Sequence, residues 1–382
     1  MATTQKKRRV RTEGRNSFDF VLLAVVFFLI GFGLLMIYST SSYEAAIDFG
    51  DSAHYLVNQI KSTLIGMFGL IFGIVFPYKY YKKIDYVAYG VAIFSILLLL
   101  TPLGVTRNGA TRWINLGFIT VQSAEIVKLG IIIFQASYIT RLGKSIRTLK
   151  GLTAFFIPPV MAAGLIYGIS KNLSSAIIVL GIAVCMLFVA VPDYKPFVII
   201  AIVGITAAAG IVMYAVGSDA AATFRLARIK AWLNPEAYST DKAFQTLQAL
   251  YAIGSGGLWG KGLGQSMQKR GFLPESQNDM IFSIICEELG LFGAMVIIIL
   301  FVVLIWSCMM IANRAVDQFG SMLVVGVMSH FAIQVILNIA VVTNTIPNTG
   351  ITLPFISYGG SATLFLLAEI GIVLNVSRHS RI

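Results

Sequence analysis

The sequence predicts an all-α polytopic membrane protein of about ten transmembrane helices with one large extracytoplasmic loop. Hydrophobic residues make up 57% of the 382 residues and charged residues only 12%, with a mean hydropathy of +0.82. A soluble domain of this length would be about one-quarter charged, because water must hydrate its surface. Apolar runs of about 18 residues or more recur along the chain, and each is long enough to cross a hydrocarbon core of about 30 Å as a helix.

The apolar runs predict ten spans. We place them at residues 18–39, 62–78, 85–102, 121–140, 152–169, 173–192, 194–216, 280–311, 320–343 and 357–377. An even number of spans puts both termini on the same side of the membrane. Residues 1–17 form a basic tail, residues 18–382 form a single membrane domain, and residues 217–279 form its large loop.

The distribution of lysine and arginine predicts the orientation. Segments on the N-terminal side of the membrane carry 17 of these residues, whereas the short loops on the opposite side carry four, which are Lys61, Arg107, Arg112 and Lys171. Short cytoplasmic loops are enriched in positive charge. Both termini are therefore expected in the cytoplasm and the loop 217–279 outside.

The remaining composition excludes several classes of protein. Much of the net charge of +12 lies in segments between helices, where it sets topology, so we expect no nucleic acid partner. The three cysteines (Cys185, Cys286 and Cys308) all fall in apolar segments and predict neither disulfides nor a zinc site. The first apolar run is long enough to span and lacks a small-residue cleavage site, which argues against a cleavable signal peptide.

The large loop is basic and patterned. It holds seven lysines and arginines, and long loops are largely exempt from the charge rule. Apolar residues at helical spacing predict two short amphipathic helices, one with Leu226, Ile229 and Leu233 and one with Phe244, Leu247 and Tyr251. A glycine-rich stretch over residues 254–264 follows. The loop is either solvated or a folded surface for an anionic lipid headgroup.

Ionisable residues inside spans are costly and are therefore candidate functional groups. Glu125 and Lys128 are three residues apart and share a helix face, where they would form an ion pair. That pair either fixes helix packing or belongs to a site. Four further residues are interpreted as core groups, His330 by packing and the acids by local partners: Glu287, Glu288, His330 and Glu369. No group of histidine, cysteine and carboxylate residues has metal-site spacing.

Asp279 differs from these acids because it ends the basic loop and opens the eighth span. An aspartate there would either cap the helix N-terminus or act chemically at the membrane boundary. A carboxylate base beside cations suits a transfer in which diphosphate leaves, since the base takes a proton and the cations stabilise the departing charge. The residues alone leave both readings open.

Four separated segments together resemble the SEDS family of peptidoglycan polymerases, in family order and across nearly the whole chain. They are NGATRWI at 108–114 with QSAE at 122–125; FRLAR at 224–228 with the glycine-rich 252–264; FLPE at 272–275 running to EELG at 287–290; and GITLPFISYGGS at 350–361. Within the family, residues 38–42 and 371–378 are more similar to the division member FtsW than to the elongation member RodA or a sporulation relative.

The resemblance implies an activity. Such a protein polymerises lipid II into β-1,4 glycan strands at the outer face of the cytoplasmic membrane, by an inverting transfer from undecaprenyl diphosphate. It implies that Asp279 is the catalytic base. It also implies a substrate-binding role for nine residues: Trp113, Glu125, Lys128, Arg225, Arg228, Lys269, Glu275, Ser357 and Tyr358. No bound cofactor is expected, although a divalent cation (Mg²⁺ or Mn²⁺) is compatible with the chemistry.

The same resemblance implies partners and a location. A class B penicillin-binding protein would supply the transpeptidase, with other division proteins, at the septum. The sequence departs from the family pattern in places. Ser123 stands where the family has a helix-start proline, Asn172 where it has an acid, and Met280 where an aromatic residue follows the aspartate. We assign no catalytic role to the turn at Asn172.

Two other functions remain open at this stage. A flippase for lipid II would use the same helices and intramembrane charges, but transporters place their binding groups near the midplane, often with internal repeats. Here the chemistry is richest in the external loop, which favours an enzyme. A non-catalytic division scaffold would tolerate the loss of Asp279.

Overall fold

The structure, a computed structural model, describes residues 18–107, 109–117, 119–217, 224–238 and 243–380. Twelve α-helices lie in these ranges. They are α1 (Phe20–Phe49), α2 (His54–Val75), α3 (Asp85–Leu97), α4 (Ser123–Leu142), α5 (Leu149–Ser170), α6 (Leu173–Ala190), α7 (Lys195–Gly217), α8 (Phe224–Leu233), α9 (Phe244–Gly256), α10 (Ile281–Arg314), α11 (Gln318–Val342) and α12 (Gly360–Arg378).

The fold confirms the predicted class of polytopic helical membrane protein. Within the described ranges, nine helices are long and apolar enough to cross a membrane, and the apolar helix at Asp85–Leu100 is shorter. These ten helices, α1–α7 and α10–α12, correspond in order to the ten predicted spans. Helices α8 and α9 lie in the large loop, where the apolar spacing predicted two helices.

The ends of the first two helices differ from the prediction. Helix α1 continues ten residues beyond the predicted end at 39, and α2 begins at His54 rather than at 62. The polar run 39–42 does not end α1 because the hydroxyls of residues 39–41 have partners. Ser41 Oγ donates to the Ile37 carbonyl at 2.7 Å and Ser39 Oγ to Glu288 at 2.8 Å. A polar group with such a partner can stay in a buried helix.

A small antiparallel sheet precedes α4 and was not predicted. Its strands are β1 (Gly104–Arg107), β2 (Ala110–Asn115) and β3 (Thr120–Gln122), in the order β1-β2-β3. Trp113 in β2 is opposite Gln122 in β3. The backbone N–H of Gln122 donates to Ser361 Oγ at 3.3 Å, so the sheet is tied to the start of α12.

Helices α2 and α12 pack in close backbone contact, which glycines make possible. A Cβ atom added at Gly73 would lie 2.7 Å from the Ala368 carbonyl oxygen, and one at Gly371 would lie 2.3 Å from the Leu70 carbonyl oxygen. Small residues at a membrane helix interface allow this approach where no hydrophobic effect drives association. The contact fixes the position of α12. The residues immediately before α12, 357–358, bind the segment that carries Asp279.

Helix α10 is broken at Gly290, which has φ 69° and ψ −168°. The glycine-rich loop predicted at 254–264 crosses the break in close contact with it. The backbone N–H of Leu291 donates to the Gly257 carbonyl at 3.0 Å, and that of Gly262 donates to the Glu288 carbonyl at 3.0 Å. A Cβ atom at Gly260 would lie 2.2 Å from the Glu288 carbonyl oxygen. The loop is therefore a tightly turned segment that satisfies backbone groups which the break would leave unpaired.

Candidate functional site

Asp279 lies two residues before the start of α10 and is 8% exposed. Burial, followed by the negative charge of Glu275, raises the pKa of its carboxyl to about 7. A hydrogen bond from its own backbone N–H and the positive charge of Arg228 act in the opposite direction. A general base is most effective when its pKa lies near the working pH. The carboxyl is therefore suited to accept a proton at neutral pH.

Three consecutive backbone carbonyls hold the segment that carries Asp279. The backbone N–H of Tyr358 donates to the Gln277 carbonyl at 2.9 Å, and Ser357 Oγ donates to the Asn278 carbonyl at 2.7 Å. Asn338 Nδ2 donates to the Asp279 carbonyl at 2.8 Å. The structure thus places the predicted residues Ser357 and Tyr358 beside the aspartate, where they bind the backbone carbonyls of the two residues that precede it.

Asn338 is the last of three polar residues on one face of α11. His330, Gln334 and Asn338 are four residues apart and all buried. Gln334 Nε2 donates to the Thr352 carbonyl at 3.0 Å, and Asn338 Nδ2 donates to the Ile351 carbonyl at 2.7 Å. This polar stripe holds the segment after α11 and the Asp279 segment against the same helix.

The stripe also reaches the buried charges of the neighbouring helices. Glu125 and Lys128 form the predicted ion pair at 2.7 Å, and Lys128 Nζ donates to Gln334 Oε1 at 3.3 Å. His330 lies 2.8 Å from Glu369 and 2.9 Å from Gln334. Each of these groups has a polar partner, so the arrangement fixes α4, α11 and α12 together. His330 is therefore more than the packing residue inferred from the sequence, and Glu369 has the polar partner inferred for it.

Arg228 lies near the aspartate, and Arg112 lies near Arg228. Arg228 Nη1 donates to the Asn348 carbonyl at 3.4 Å, and the positive charge of Arg228 acts on Asp279. Burial and then the charge of Arg228 lower the pKa of Arg112 in β2. Arg112 Nε is buried without a hydrogen-bond partner among the described residues. Two adjacent guanidinium groups of this kind suit a diphosphate or another anion. Arg225 belongs to α8, but its side chain lies outside the described residues.

A polar cavity of about 180 Å³ adjoins Arg228. It lies between α8, the start of α9 and the segment after α11. Seven residues line it: Arg228, Ala231, Trp232, Ala243, Gln245, Thr246 and Asn348. Trp113 lies in β2, one residue after Arg112, and is partly buried. Glu275 is exposed, has a φ of 57°, and its carboxylate accepts a hydrogen bond from Asn278 Nδ2.

Lys269 is committed to an intramolecular pair. Its ammonium donates to Glu288 at 2.7 Å and to Ser39 Oγ at 2.9 Å, and the residue is 6% exposed. Nearby, Lys261 binds Glu287 at 2.7 Å. Glu287 and Glu288 are thus the satisfied acids inferred from the sequence, and they hold the loop at the break in α10. A substrate-binding role for Lys269 would require its ammonium to leave this pair.

Residues that the sequence reasoning missed include Arg112, Gln334 and Asn338. The polar spacing on α11 was visible in the sequence, although its targets on other elements were not. Asn172 Oδ1 accepts from the Ser175 backbone N–H at 3.1 Å as the N-cap of α6, in keeping with its lack of a catalytic assignment. Within the described residues, no three histidine, cysteine or acidic side chains are grouped as a metal site would require.

The family comparison covers almost the whole chain. A family model described as "Cell cycle protein", for the FtsW, RodA and SpoVE proteins, matches residues 20–382. Stage V sporulation protein E of Bacillus subtilis is 38% identical over 374 residues, covering 97% of this chain and 100% of that protein. The probable peptidoglycan glycosyltransferase FtsW of Trichlorobacter lovleyi is 37% identical over 364 residues, covering 94% and 93%.

Solved structures share the fold. A chain from a structure described as "Structural coordination of polymerization and crosslinking by a peptidoglycan synthase complex" matches with a TM-score of 0.77 and 22% identity, over 95% of this chain and 98% of that one. The rod shape determining protein RodA of Thermus thermophilus matches with a TM-score of 0.68 and 23% identity, over 95% and 97%. The chain therefore belongs to the SEDS family of FtsW, RodA and SpoVE proteins and is an FtsW-like, multi-pass membrane peptidoglycan glycosyltransferase.

Proposed function

We propose that the protein polymerises lipid II into β-1,4 glycan strands at the outer face of the cytoplasmic membrane, with Asp279 as the general base. The observation that carries the proposal is a buried carboxyl with a pKa of about 7, next to the charge of Arg228. Arg112 lies near that arginine. A base and a cationic anion site side by side match the two demands of a transfer from a diphosphate.

The reaction would proceed by one displacement. The 4-hydroxyl oxygen of the acceptor forms a bond to the anomeric carbon of the donor as its proton passes to the Asp279 carboxylate. The bond from that carbon to the diphosphate oxygen breaks, and the electron pair leaves with undecaprenyl diphosphate. Attack from the opposite face turns an α-linked donor into a β-linked product, so no covalent enzyme intermediate is needed.

The two arginines have a separate role in this proposal. Arg112 and Arg228 bind the diphosphate, and their charge stabilises the negative charge that grows on it as the bond breaks. A Mg²⁺ or Mn²⁺ ion that accompanies the diphosphate is compatible with this role. Trp113 and Arg225 are retained as candidate substrate contacts. The buried pair Glu125–Lys128 affects the site indirectly, through the hydrogen bond that Lys128 donates to Gln334.

The cellular setting is proposed from the relatives. The family description "Cell cycle protein" supports a role in cell division, which we propose takes place at the septum, with both termini in the cytoplasm as the charge distribution predicts. The structural neighbour comes from a peptidoglycan synthase complex that joins polymerisation to crosslinking. We therefore propose a class B penicillin-binding protein as the transpeptidase partner, with other division proteins around the pair.

The test is polymerisation of lipid II by the purified complex with its penicillin-binding protein. Asp279→Ala and Asp279→Asn are compared with wild type, and Glu236→Ala, an exposed acid of the same loop, is the matched control. Polymer from wild type and the control, and none from two folded Asp279 variants, is expected. Equal polymer from the Asp279 variants would remove this residue as the base.

One observation supports the alternative of lipid II transport. Polar contacts join Glu125, Lys128, Gln334, His330 and Glu369 across three buried membrane helices. Transporters use intramembrane charges of this kind. The two functions separate in proteoliposomes. Lipid II that crosses the bilayer without the partner, and without polymer formation in the partner assay, would favour transport over the proposed polymerisation of lipid II.

A further inference from the structure

The cavity beside Arg228 has the size of a small subsite. Its volume of about 180 Å³ is below the range of about 300–1,000 Å³ that is typical of drug-sized ligands. A volume of this size is closer to that of one sugar ring than to that of a disaccharide or a lipid chain. Ala231, which is 3% exposed, forms part of its wall.

Two residues that line the cavity connect it to the surroundings of Asp279. Asn348 lines it, and its Oδ1 accepts from the Gly350 backbone N–H at 3.0 Å. A Cβ atom built on Gly350 would lie 3.8 Å from Asp279 Oδ2. On the opposite side, Gln245 Nε2 donates to the Pro274 carbonyl at 3.1 Å, within the segment that leads to the aspartate. A ligand in the cavity would therefore contact residues whose hydrogen-bond partners adjoin the Asp279 segment.

The polar groups of the wall are held in place before any ligand binds. Asn348 Nδ2 donates to Gln245 Oε1 at 2.8 Å, and Trp232 Nε1 donates to the Asn344 carbonyl at 2.9 Å. Because the indole N–H is occupied, the orientation of the ring is fixed. Pre-positioned side chains reduce the entropic cost of binding a ligand.

Thr246 supplies an open hydroxyl. It is 8% exposed, lines the cavity, and makes no hydrogen bond with any residue in the described ranges. A hydroxyl in this position donates to and accepts from a ligand. Neutral amides, a hydroxyl and an indole ring are the groups that bind a neutral polyhydroxylated ligand, while Arg228 at the rim favours a neighbouring anion.

We propose that this cavity binds one N-acetylhexosamine ring of the lipid-linked substrate, with the adjoining diphosphate at Arg228. The assignment rests on the proposed function and identifies where the sugar binds. Thr246 bonds a substituent of the ring, Trp232 covers it, and Gln245 and Asn348 limit its orientation. The anomeric carbon then lies on the side of the cavity that is closest to Asp279.

Two ligands separate the sugar from the diphosphate. The full-length protein in nanodiscs is titrated with lipid II and with undecaprenyl diphosphate, which has the same lipid and diphosphate but no sugar. Thr246→Val removes only the hydroxyl, and Ala231→Leu fills part of the cavity. Thr343→Val is the matched control, since its hydroxyl bonds its own helix at the Ile339 carbonyl, away from the cavity.

Thr246→Val is expected to weaken lipid II binding roughly threefold to tenfold, the worth of one hydrogen bond. Ala231→Leu is expected to weaken it further, and both variants should leave undecaprenyl diphosphate affinity unchanged. Thermal unfolding checks that each variant folds. Unchanged lipid II affinity in a folded Thr246→Val, or an equal loss for both ligands, would overturn the sugar subsite.

The assay does not depend on catalysis. A wild-type protein that binds lipid II but makes no polymer would contradict the proposed polymerase and still report on the subsite. Polymer formation with unaltered lipid II binding in both folded variants would contradict the subsite and leave the polymerase standing.

Discussion

The side chain of Asn338 donates from one nitrogen to two backbone carbonyls, that of Asp279 at 2.8 Å and that of Ile351 at 2.7 Å. Asn338 is fully buried in α11, so both carbonyls depend on a donor from inside the membrane domain. The bond ties the candidate base to the helix that also carries His330 and Gln334.

Replacing this donor is expected to displace Asp279 without removing it. Asn338→Leu leaves two buried carbonyls unsatisfied, at a cost of about 1–3 kcal/mol for each carbonyl in the free energy of unfolding. We expect kcat for polymerisation to fall about tenfold or more, because small displacements of a reacting group are costly, while KM for lipid II stays the same.

Ser329→Ala is the control, since Ser329 is buried in the same helix and donates to its own Val325 carbonyl. Equal kcat in Asn338→Leu and wild type would show that the bond has no role in positioning Asp279.

The charge of Glu275 should shift the acid limb of the pH–rate profile, in addition to the larger effect of burial. It raises the pKa of Asp279, so Glu275→Gln should lower that pKa and increase the fraction of ionised base at pH 6. The pH–rate profile of polymerisation should then shift to lower pH. Glu236→Gln, an exposed acid of the same loop, is expected to leave the profile unchanged. A shift to higher pH in Glu275→Gln would contradict the assigned electrostatics.

Arg228→Gln is expected to move the profile in the opposite direction. The positive charge of Arg228 lowers the pKa of Asp279, so its removal should raise that pKa and depress activity most at pH 6. The variant should also bind undecaprenyl diphosphate more weakly, which a titration in nanodiscs measures. Lys230→Gln, a neighbouring cation on α8, is the matched comparison. Identical effects of both substitutions would indicate general attraction by the loop rather than a site at Arg228.

The buried carboxyl should also destabilise the fold as the pH rises. Its pKa is raised from 3.8 to about 7, so the folded protein holds this proton more tightly than the unfolded chain. The stabilising contribution is complete below pH 4 and is lost as the pH rises to 7. Asp279→Asn should therefore gain stability relative to wild type between pH 5 and pH 8, up to about 4 kcal/mol at 1.36 kcal/mol per pKa unit. Thermal unfolding at the two pH values measures this difference.

The buried Lys269–Glu288 salt bridge should stabilise the folded protein. Lys269→Met leaves a buried carboxylate without its cation, which typically costs about 3–5 kcal/mol. Lys261→Met should cost less, because Lys261 is 34% exposed and water can replace its contact with Glu287. Thermal unfolding measures both variants.

The double variant Lys269→Met/Glu288→Leu tests whether Lys269 also contacts substrate. Removal of both charges should restore much of the stability, and polymerisation should return with it. A stable double variant that binds lipid II much more weakly than wild type would instead assign Lys269 to the substrate.

The sequence predicted the ten membrane helices well because apolar length is a local property of the chain. The ion pair of Glu125 and Lys128 was also predictable, since its members are one helical turn apart. The predicted end of α1 was wrong because Ser39 and Ser41 have polar partners inside the fold, and the predicted start of α2 was eight residues late. The short β strands carried too little local pattern to be recognised.

The environment of Asp279 could not be read from the chain in the same way. Its carbonyl accepts a hydrogen bond from Asn338, which is 59 residues away in sequence. Lys269 likewise donates to Ser39, at a separation of 230 residues. Such contacts depend on how the helices pack. The family resemblance identified the aspartate, whereas only the fold shows that Asn338 binds its carbonyl and that Arg112 lies near Arg228.

The three hydrogen bonds that hold residues 277–279 are accepted by the main-chain carbonyl oxygens of these residues, and none involves the side chain of Asp279. Almost any amino acid offers the same oxygen, so an exchange at position 279 keeps the supporting contacts. A natural mutation at position 279 would therefore remove catalytic activity while the protein keeps its folded structure. A copy inactivated at this position would still occupy the place of a working one, and such an allele should interfere with the wild-type gene when both are expressed.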